Sequence, residues 1–436
     1  MSEGTGTEGR LLLGTAKIDI TPASPIPLAG YGHRKGPYAG INRRLFARMN
    51  VFEQTEGGET RRVLIGMGDI IWWPGERMDP IRETLESKFG IRPSDVILSA
   101  QHTHGGPQTS VSFCDILGLT DDDYLTYLER QLFAAVETAI ANLEPVTAEQ
   151  GKGESYIGIN RRKMAGDKMT MAPNPDGLYD SEVNVVRFRK DDGGTKAVFI
   201  HYTCHPTTTG DNFINSDYPG VAAERLEATL GCGAVVSFLQ GCAGNIRPAL
   251  HRDGKFYSGH DEEVMRFGRS LADEVERVLD GPMKTLDQAP LSGSRVVVEL
   301  PFQPLPPEAE LDEAAGKGGH MQQWAEKLRC HPEKLRPYIP FQVNRIALAQ
   351  GLAYLAMDGE VVLEYGAYVK QLSGGETLAM GYSNGMVGYV PTASQVAEGG
   401  YEGKDSFIYF ALPAAFDPEL ESIIKDAIQQ LIRKED

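Results

Sequence analysis

The alternation of apolar and polar positions divides the first 250 residues into strands and helices by turns. Residues 61–68 (RRVLIGMG) close in an apolar run that reads as a buried strand. Residues 76–89 space their apolar positions three and four apart, as a helix does. Residues 95–100 (DVILSA) form the next apolar run, and 121–143 predict a long amphipathic helix with Thr120 as its cap. Further strands are expected at 197–203 and 234–239, with helices at 221–230 and 262–279 around them. Strands alternating with helices of this length predict an α/β fold, a mixed or parallel sheet covered by helices. Two unrelated small domains are the competing reading. Between 301 and 340 the chain turns rich in Pro, Glu and Lys, which suggests a surface excursion or lid. A helix at 342–356, several strands between 361 and 390 and a terminal amphipathic helix at 418–433 complete the pattern.

Length and charge narrow this further. A chain of 436 residues allows two or three domains or one enzyme-sized unit, and a single catalytic unit over 1–436 is expected here. With 41% hydrophobic and 24% charged residues the chain is of ordinary globular composition. It carries 43 Lys and Arg against 60 Asp and Glu, a net charge of −17, which repels a phosphate backbone. The basic spot at 152–163 holds only four Lys and Arg, so nucleic acid is excluded as a partner. No stretch reaches 18 consecutive apolar residues, so no membrane insertion is expected. The lead MSEGTGTEGRLLLG is acidic, with an apolar run too short for a signal peptide. Five cysteines without a CxxC pair read as reduced thiols, and together these features predict a cytoplasmic protein.

The candidate chemistry lies in three loops, each directly after a predicted buried strand: Gln101-His102-Thr103-His104-Gly105-Gly106-Pro107, Cys204-His205-Pro206-Thr207, and Gln240-Gly241-Cys242-Ala243-Gly244-Asn245-Ile246-Arg247-Pro248. In open α/β sheets ligands bind beyond the carboxyl ends of the strands, because the loops there converge on one crevice. Two imidazoles on a glycine-rich turn can meet on one cation, and His102, His104 and His205 together read as a zinc or similar transition-metal centre needing a carboxylate. His201 sits on a predicted strand and reads as a core histidine. His33, in GYGHRKG, is a further candidate for lining the crevice, and His251, His260, His320 and His331 read as solvated. A Walker loop and a G-x-S-x-G elbow are both missing, which leaves a P-loop nucleotidase and a serine triad without support.

These loops also carry a resemblance. GTAKIDITP near the start, QHTHGGP, INRR at 159–162, the His205 loop, SDYPG at 216–220, FLQGCAGNIRP, and GYVPT followed by GGYEG together resemble the neutral/alkaline ceramidase family, in the right order over residues 10–435. The resemblance implies an α/β catalytic domain and a zinc-dependent amidohydrolase that cleaves the N-acyl bond of ceramide. Ceramidases proper carry a further β-sandwich domain and a secretion signal; this chain is expected to be a divergent member with neither. The resemblance implies zinc ligands at His102, His205, Glu360 and Tyr401, with Glu364 as the competing carboxylate. His104 and Arg161 match residues that contact the substrate and the reacting centre. Where the family's loop carries a serine proposed to be catalytic, this chain has Arg247.

The function expected is a zinc-dependent hydrolase of an amide-type bond, acting on a small polar or anionic compound. His104 is its general acid/base or oxyanion stabiliser. Asp217 and Asp69 are each an alternative base or an orienter of a ligating histidine. Arg247 is expected to read an anionic group with Arg161 as its partner, the competing reading being a salt bridge to Asp217 or Asp69. Two other functions stay open: a metal-dependent lyase acting on an acidic sugar, and a non-catalytic metal-binding relative. Because Glu360 and Tyr401 lie far beyond the histidines, residues 291–436 are expected to complete the site.

Overall fold

A computed structural model of the chain describes residues 9–433; most of the acidic lead, residues 1–8, lies outside the described residues. Eight strands line up as Val235–Gln240, Thr195–Tyr202, Glu182–Lys190, Glu144–Glu154, Leu12–Asp19, Phe46–Glu56, Glu59–Gly68 and Val96–Ala100, with Lys284–Thr285 beside Glu144–Glu154. Only the outermost pair at each end is parallel. The sheet is therefore mixed. Its two edge strands, VVSFLQ and VILSA, are mostly apolar and buried at every position, as strands covered on both faces are. The sheet curls on itself, so that Asn50 in its middle donates to Ser237 on an edge strand at 3.1 Å.

A second sheet, Ser292–Pro301, Tyr338–Ala349, Leu352–Met357 and Thr377–Met380, packs across the first. Ile346, Tyr354 and Met380 share one buried cluster with Ile65, Ile97 and Leu239. Helices Met78–Phe89, Asp122–Ala141 and Leu420–Arg433 cover one side, and Asp217–Leu230 with Asp261–Asp280 cover another. Among the described residues no helix is long and apolar enough to cross a membrane.

The helix expected at 342–356 is instead a hairpin, Tyr338–Ala349 turning into Leu352–Met357. Every residue of the second strand is buried, so its apolar positions carry no helical stripe. Gly351 supplies the turn, at φ 79°. The cap of the helix Asp122–Ala141 is Asp121, which accepts from Tyr124 N at 2.8 Å, rather than Thr120. Residues 301–340 hold two helices, Glu308–Gly316 and Gly319–Cys330. They are anchored by buried Trp324, whose Nε1 donates to Leu412 O at 2.7 Å. Between 361 and 390 a helix, Leu363–Leu372, stands among the short strands.

Four strands hand over at their carboxyl ends to one region. Val96–Ala100 leads to His102, Thr195–Tyr202 to His205, Val235–Gln240 to Asn245 and Arg247, and Leu352–Met357 to Glu360.

Candidate metal centre

His102 is fixed by its own backbone and ring. Its N–H donates to Ile70 O at 3.0 Å, and its Nδ1 lies 2.8 Å from Ile71 O. A carbonyl only accepts, so Nδ1 carries the ring proton and Nε2 presents a lone pair. The residue sits at φ 71°, left-handed backbone that costs a non-glycine residue on the order of 1–3 kcal/mol and is tolerated where the surroundings enforce it. His205 is tied the same way, its Nδ1 lying 2.6 Å from Ala243 O and 2.8 Å from Ile246 O. Both free nitrogens converge on Glu360, whose Oε2 lies 3.0 Å from His205 Nε2 and 3.3 Å from His102 Nε2. All three side chains are buried, and their donor atoms lie within 4.8 Å of one another.

Two imidazole lone pairs facing a buried carboxylate repel it and one another, and the group is balanced only with a cation between them. Ligands at about 2.0–2.1 Å around a tetrahedral zinc-like ion stand a little over 3 Å apart, so the observed separations fit one. Burial, and next the Arg161 charge, bring His205 down to about 4, which keeps it in the neutral form a metal needs.

The carboxylate is seated by the loop that follows Val235–Gln240. Gly244 N donates to Val361 O at 2.8 Å, and Glu360 N donates to Gly388 O at 2.8 Å. A Cβ on Gly244 would stand 2.6 Å from Glu360 O and 3.0 Å from Val361 O. Gly244→Ala is therefore expected to lose about 1–3 kcal/mol of stability by overpacking. It should also loosen the metal, as read by melting and by metal content after dialysis. Wild-type values for both would show that this loop does not seat Glu360.

Comparisons with known proteins place the chain in a family. A family model described as "Neutral/alkaline non-lysosomal ceramidase, N-terminal" matches residues 11–272. The chain belongs to that family. Among its relatives, the neutral ceramidase of Pseudomonas aeruginosa is 26% identical over 254 residues, 55% of this chain and 37% of that protein. The neutral ceramidase of Mycobacterium tuberculosis is 27% identical over 235 residues, 51% of this chain and 36% of that protein. The matched part thus spans little more than a third of those relatives' length. A crystal structure of the Pseudomonas aeruginosa neutral ceramidase superposes on 97% of this chain and 73% of its own, with a TM-score of 0.73 and 20% identity. A structure titled "Ceramidase complexed with C2" does so with a TM-score of 0.74, also at 20% identity, covering 97% of this chain and 74% of its own. Likeness at that identity speaks for a shared ceramidase fold.

Around the three converging ligands the remaining candidates fall into two groups. His104 and Tyr401 stand beside the centre. His104 Nε2 lies 3.3 Å from His102 Nε2, and burial together with the neighbouring histidines holds its pKa well below the usual range. The Tyr401 ring packs 5.1 Å from that of Tyr389, and burial, then the Glu360 charge, keep its phenol protonated. The others are engaged by the protein itself. Glu364 accepts from Asn245 Nδ2 at 3.2 and 3.0 Å, which leaves Glu360 as the carboxylate of the cluster. Asp217 accepts from Thr208 N and Oγ1 and from Tyr218 N, at 2.9, 2.6 and 2.7 Å, and so pins the His205 loop to a helix start. Asp69 binds Arg48 and Phe46 N rather than a histidine. Arg161, the expected partner of Arg247 on a substrate anion, donates from Nε to Glu402 Oε1 at 2.7 Å, so the protein supplies one carboxylate to it. Arg247 binds neither Asp217 nor Asp69, whose oxygens are taken by these other donors. His201 is a core histidine, its Nε2 2.8 Å from Ala379 O, and His33 reaches Gly210 O at 2.9 Å.

Four contributors escaped the sequence reading. The Tyr382 and Tyr389 hydroxyls each stand 3.5 Å from His205 Nε2, Glu402 holds Arg161, and Arg34 donates to His104 O. The two tyrosines lie in the glycine-rich stretch GYSNGMVGYV after a strand, the same signal that marked the histidine loops.

Proposed function

We propose that the protein is a metal-dependent hydrolase that cleaves an N-acyl amide bond. The observation that carries this reading is the pair of imidazoles locked by backbone carbonyls into the tautomer that turns both Nε2 atoms toward Glu360. Three protein ligands are the number a catalytic zinc keeps, with one position left for water or substrate. Held by His102, His205 and Glu360, with Tyr401 beside them, zinc supplies Lewis-acid chemistry that polarises an acyl carbonyl and acidifies water. The chain's own groups do the rest. His104, neutral and buried, accepts at Nε2 the proton that the attacking water gives up as its oxygen bonds to the acyl carbon, and returns it to the amine nitrogen as the C–N bond breaks. The Tyr382 and Tyr389 hydroxyls, each 3.5 Å from His205 Nε2, would donate to the negative charge that develops on the acyl oxygen. The tyrosine rings around His102 and His205 keep bulk water out.

The relatives are named for ceramide, and a short-chain ceramide is the first substrate to assay, with simpler N-acyl amines beside it. Release of free amine that stops with a chelator and returns on adding zinc is the expected result. Metal-loaded, folded protein that releases no amine from any N-acyl compound would overturn the reading.

A further inference from the structure

We propose that Arg247 and Arg34 form an anion-binding subsite beside the metal centre, which selects N-acyl compounds carrying a carboxylate or phosphate. The inference rests on the hydrolase reading for what is cleaved, and on separate observations for what is bound.

Arg247 lies on the short strand Ile246–Pro248, antiparallel to Gly158–Ala165 and opposite Ile159. Side chains alternate along a strand, so Arg247 leaves from the same face as Arg161, two residues from its cross-strand partner. Two guanidiniums thus share one face. Glu402 answers Arg161. No carboxylate answers Arg247: its strongest electrostatic neighbours are Tyr31, Arg161, Cys204 and Tyr389, and its Nε is buried with no partner among the described residues. The guanidinium is held in place by the Phe256 ring, 4.3 Å from its centroid.

Arg34 is in the same condition. Its Nη1 donates to Ala29 O and His104 O, while Nε and Nη2 are buried without partners among the described residues. It lies 4.7 Å over the Tyr31 ring. Tyr31 links the two, since Arg247 and Arg34 are the charges its phenol feels most, and its ring packs 4.7 Å from that of His104. His104 in turn touches His102, so Arg34, which donates to His104 O, stands one residue away from the metal ligands, and Arg247 is linked to them through Tyr31 and His104.

A half-hidden guanidinium without a counter-ion is unfavourable. In a chain of net charge −17, with 60 carboxylates to draw on, two of them together beside a reacting centre point to an anion supplied from outside. The planar fork of Arg suits a carboxylate or phosphate, in charge-assisted hydrogen bonds.

The test uses metal-loaded protein and four matched compounds: N-hexanoylglycine, its neutral carboxamide, N-hexanoylethanolamine and its phosphate ester. Dissociation constants from calorimetry and amine release are measured for wild type, Arg247→Gln, Arg247→Lys and Arg34→Gln. The anionic member of at least one pair should bind roughly 30-fold or more tighter than its neutral twin, the lower end for a desolvated charge pair. That ratio should collapse in Arg247→Gln, fall part-way in Arg34→Gln and survive in part in Arg247→Lys, which keeps the charge without the fork. The carboxylate's own pull on the metal is common to wild type and variants and cancels in the comparison. Preference for the glycine or for the phosphate pair identifies the source of the anion. An anionic-to-neutral ratio near one in wild type, or one unchanged in Arg247→Gln, would overturn the subsite. Charge-selective binding without amine release would leave the subsite standing and remove the hydrolase reading, whereas amine release without charge selection would do the reverse.

Discussion

Glu360→Gln is expected to retain the fold, lose the metal and lower amide hydrolysis by about 10³-fold or more, some 4 kcal/mol of barrier. The argument is in the hydrogen positions. With Nδ1 of both His102 and His205 committed to carbonyls, the two Nε2 atoms face the position-360 side chain as acceptors. A glutamate there leaves three acceptors turned toward one another, a set that only a cation satisfies. A glutamine has the same shape but donates from its amide, so it satisfies His205 Nε2 directly and removes both the charge and the reason for the ion. Metal content should fall below about a tenth of an equivalent per chain, and melting should change less than metal removal changes it in the wild type. Glu364→Gln is the control, because that carboxylate is held by Asn245 and the variant should keep its metal. Metal retained by Glu360→Gln and lost by Glu364→Gln would exchange the two assignments.

What the sequence made legible follows from where the information is local. Edge strands such as VILSA are mostly apolar and buried on both faces, so a short apolar run identifies them, and the glycine- and histidine-rich loops behind them stand out against it. Glu360 is different. It lies 155 residues beyond His205, on a strand of two residues that exists only by pairing with Tyr389–Val390, and no periodicity announces such an element; the family resemblance singled it out. The hairpin at 338–357 was misread because its inner strand is buried at every position and shows a helix or a strand equally well. Charge partners were the least legible of all. Nothing in the spacing says that Glu402 takes Arg161, that Arg48 takes Asp69, or that Arg247 has no carboxylate beside it among the described residues.

The second large effect expected is on stability, at Arg48. Its side chain is fully buried, Nη1 donating to Asp69 at 3.0 and 3.2 Å and Nε to Glu227 at 3.2 Å. Asp69 also accepts from Phe46 N at 2.8 Å, and directly precedes Ile70 and Ile71, whose carbonyls fix the His102 backbone and ring. Arg48→Met leaves the Asp69 carboxylate in a dry core with one backbone donor, and breaking a buried pair in this way costs about 3–5 kcal/mol. Glu227 retains Lys17 at 2.6 Å, so the loss concentrates on Asp69. Removing that charge as well should therefore restore stability: the double variant Arg48→Met with Asp69→Asn is expected to lie well above the single one, since a neutral, well-packed pair often matches a buried ion pair. Denaturant unfolding of the two single variants and the double variant measures the coupling directly. A double variant as unstable as the sum of its parts would mean that Arg48 and Asp69 act separately. In that case the turn at 69–71 would be held by packing alone, and His102 would owe its tautomer to the Ile71 carbonyl without help from the ion pair beneath it.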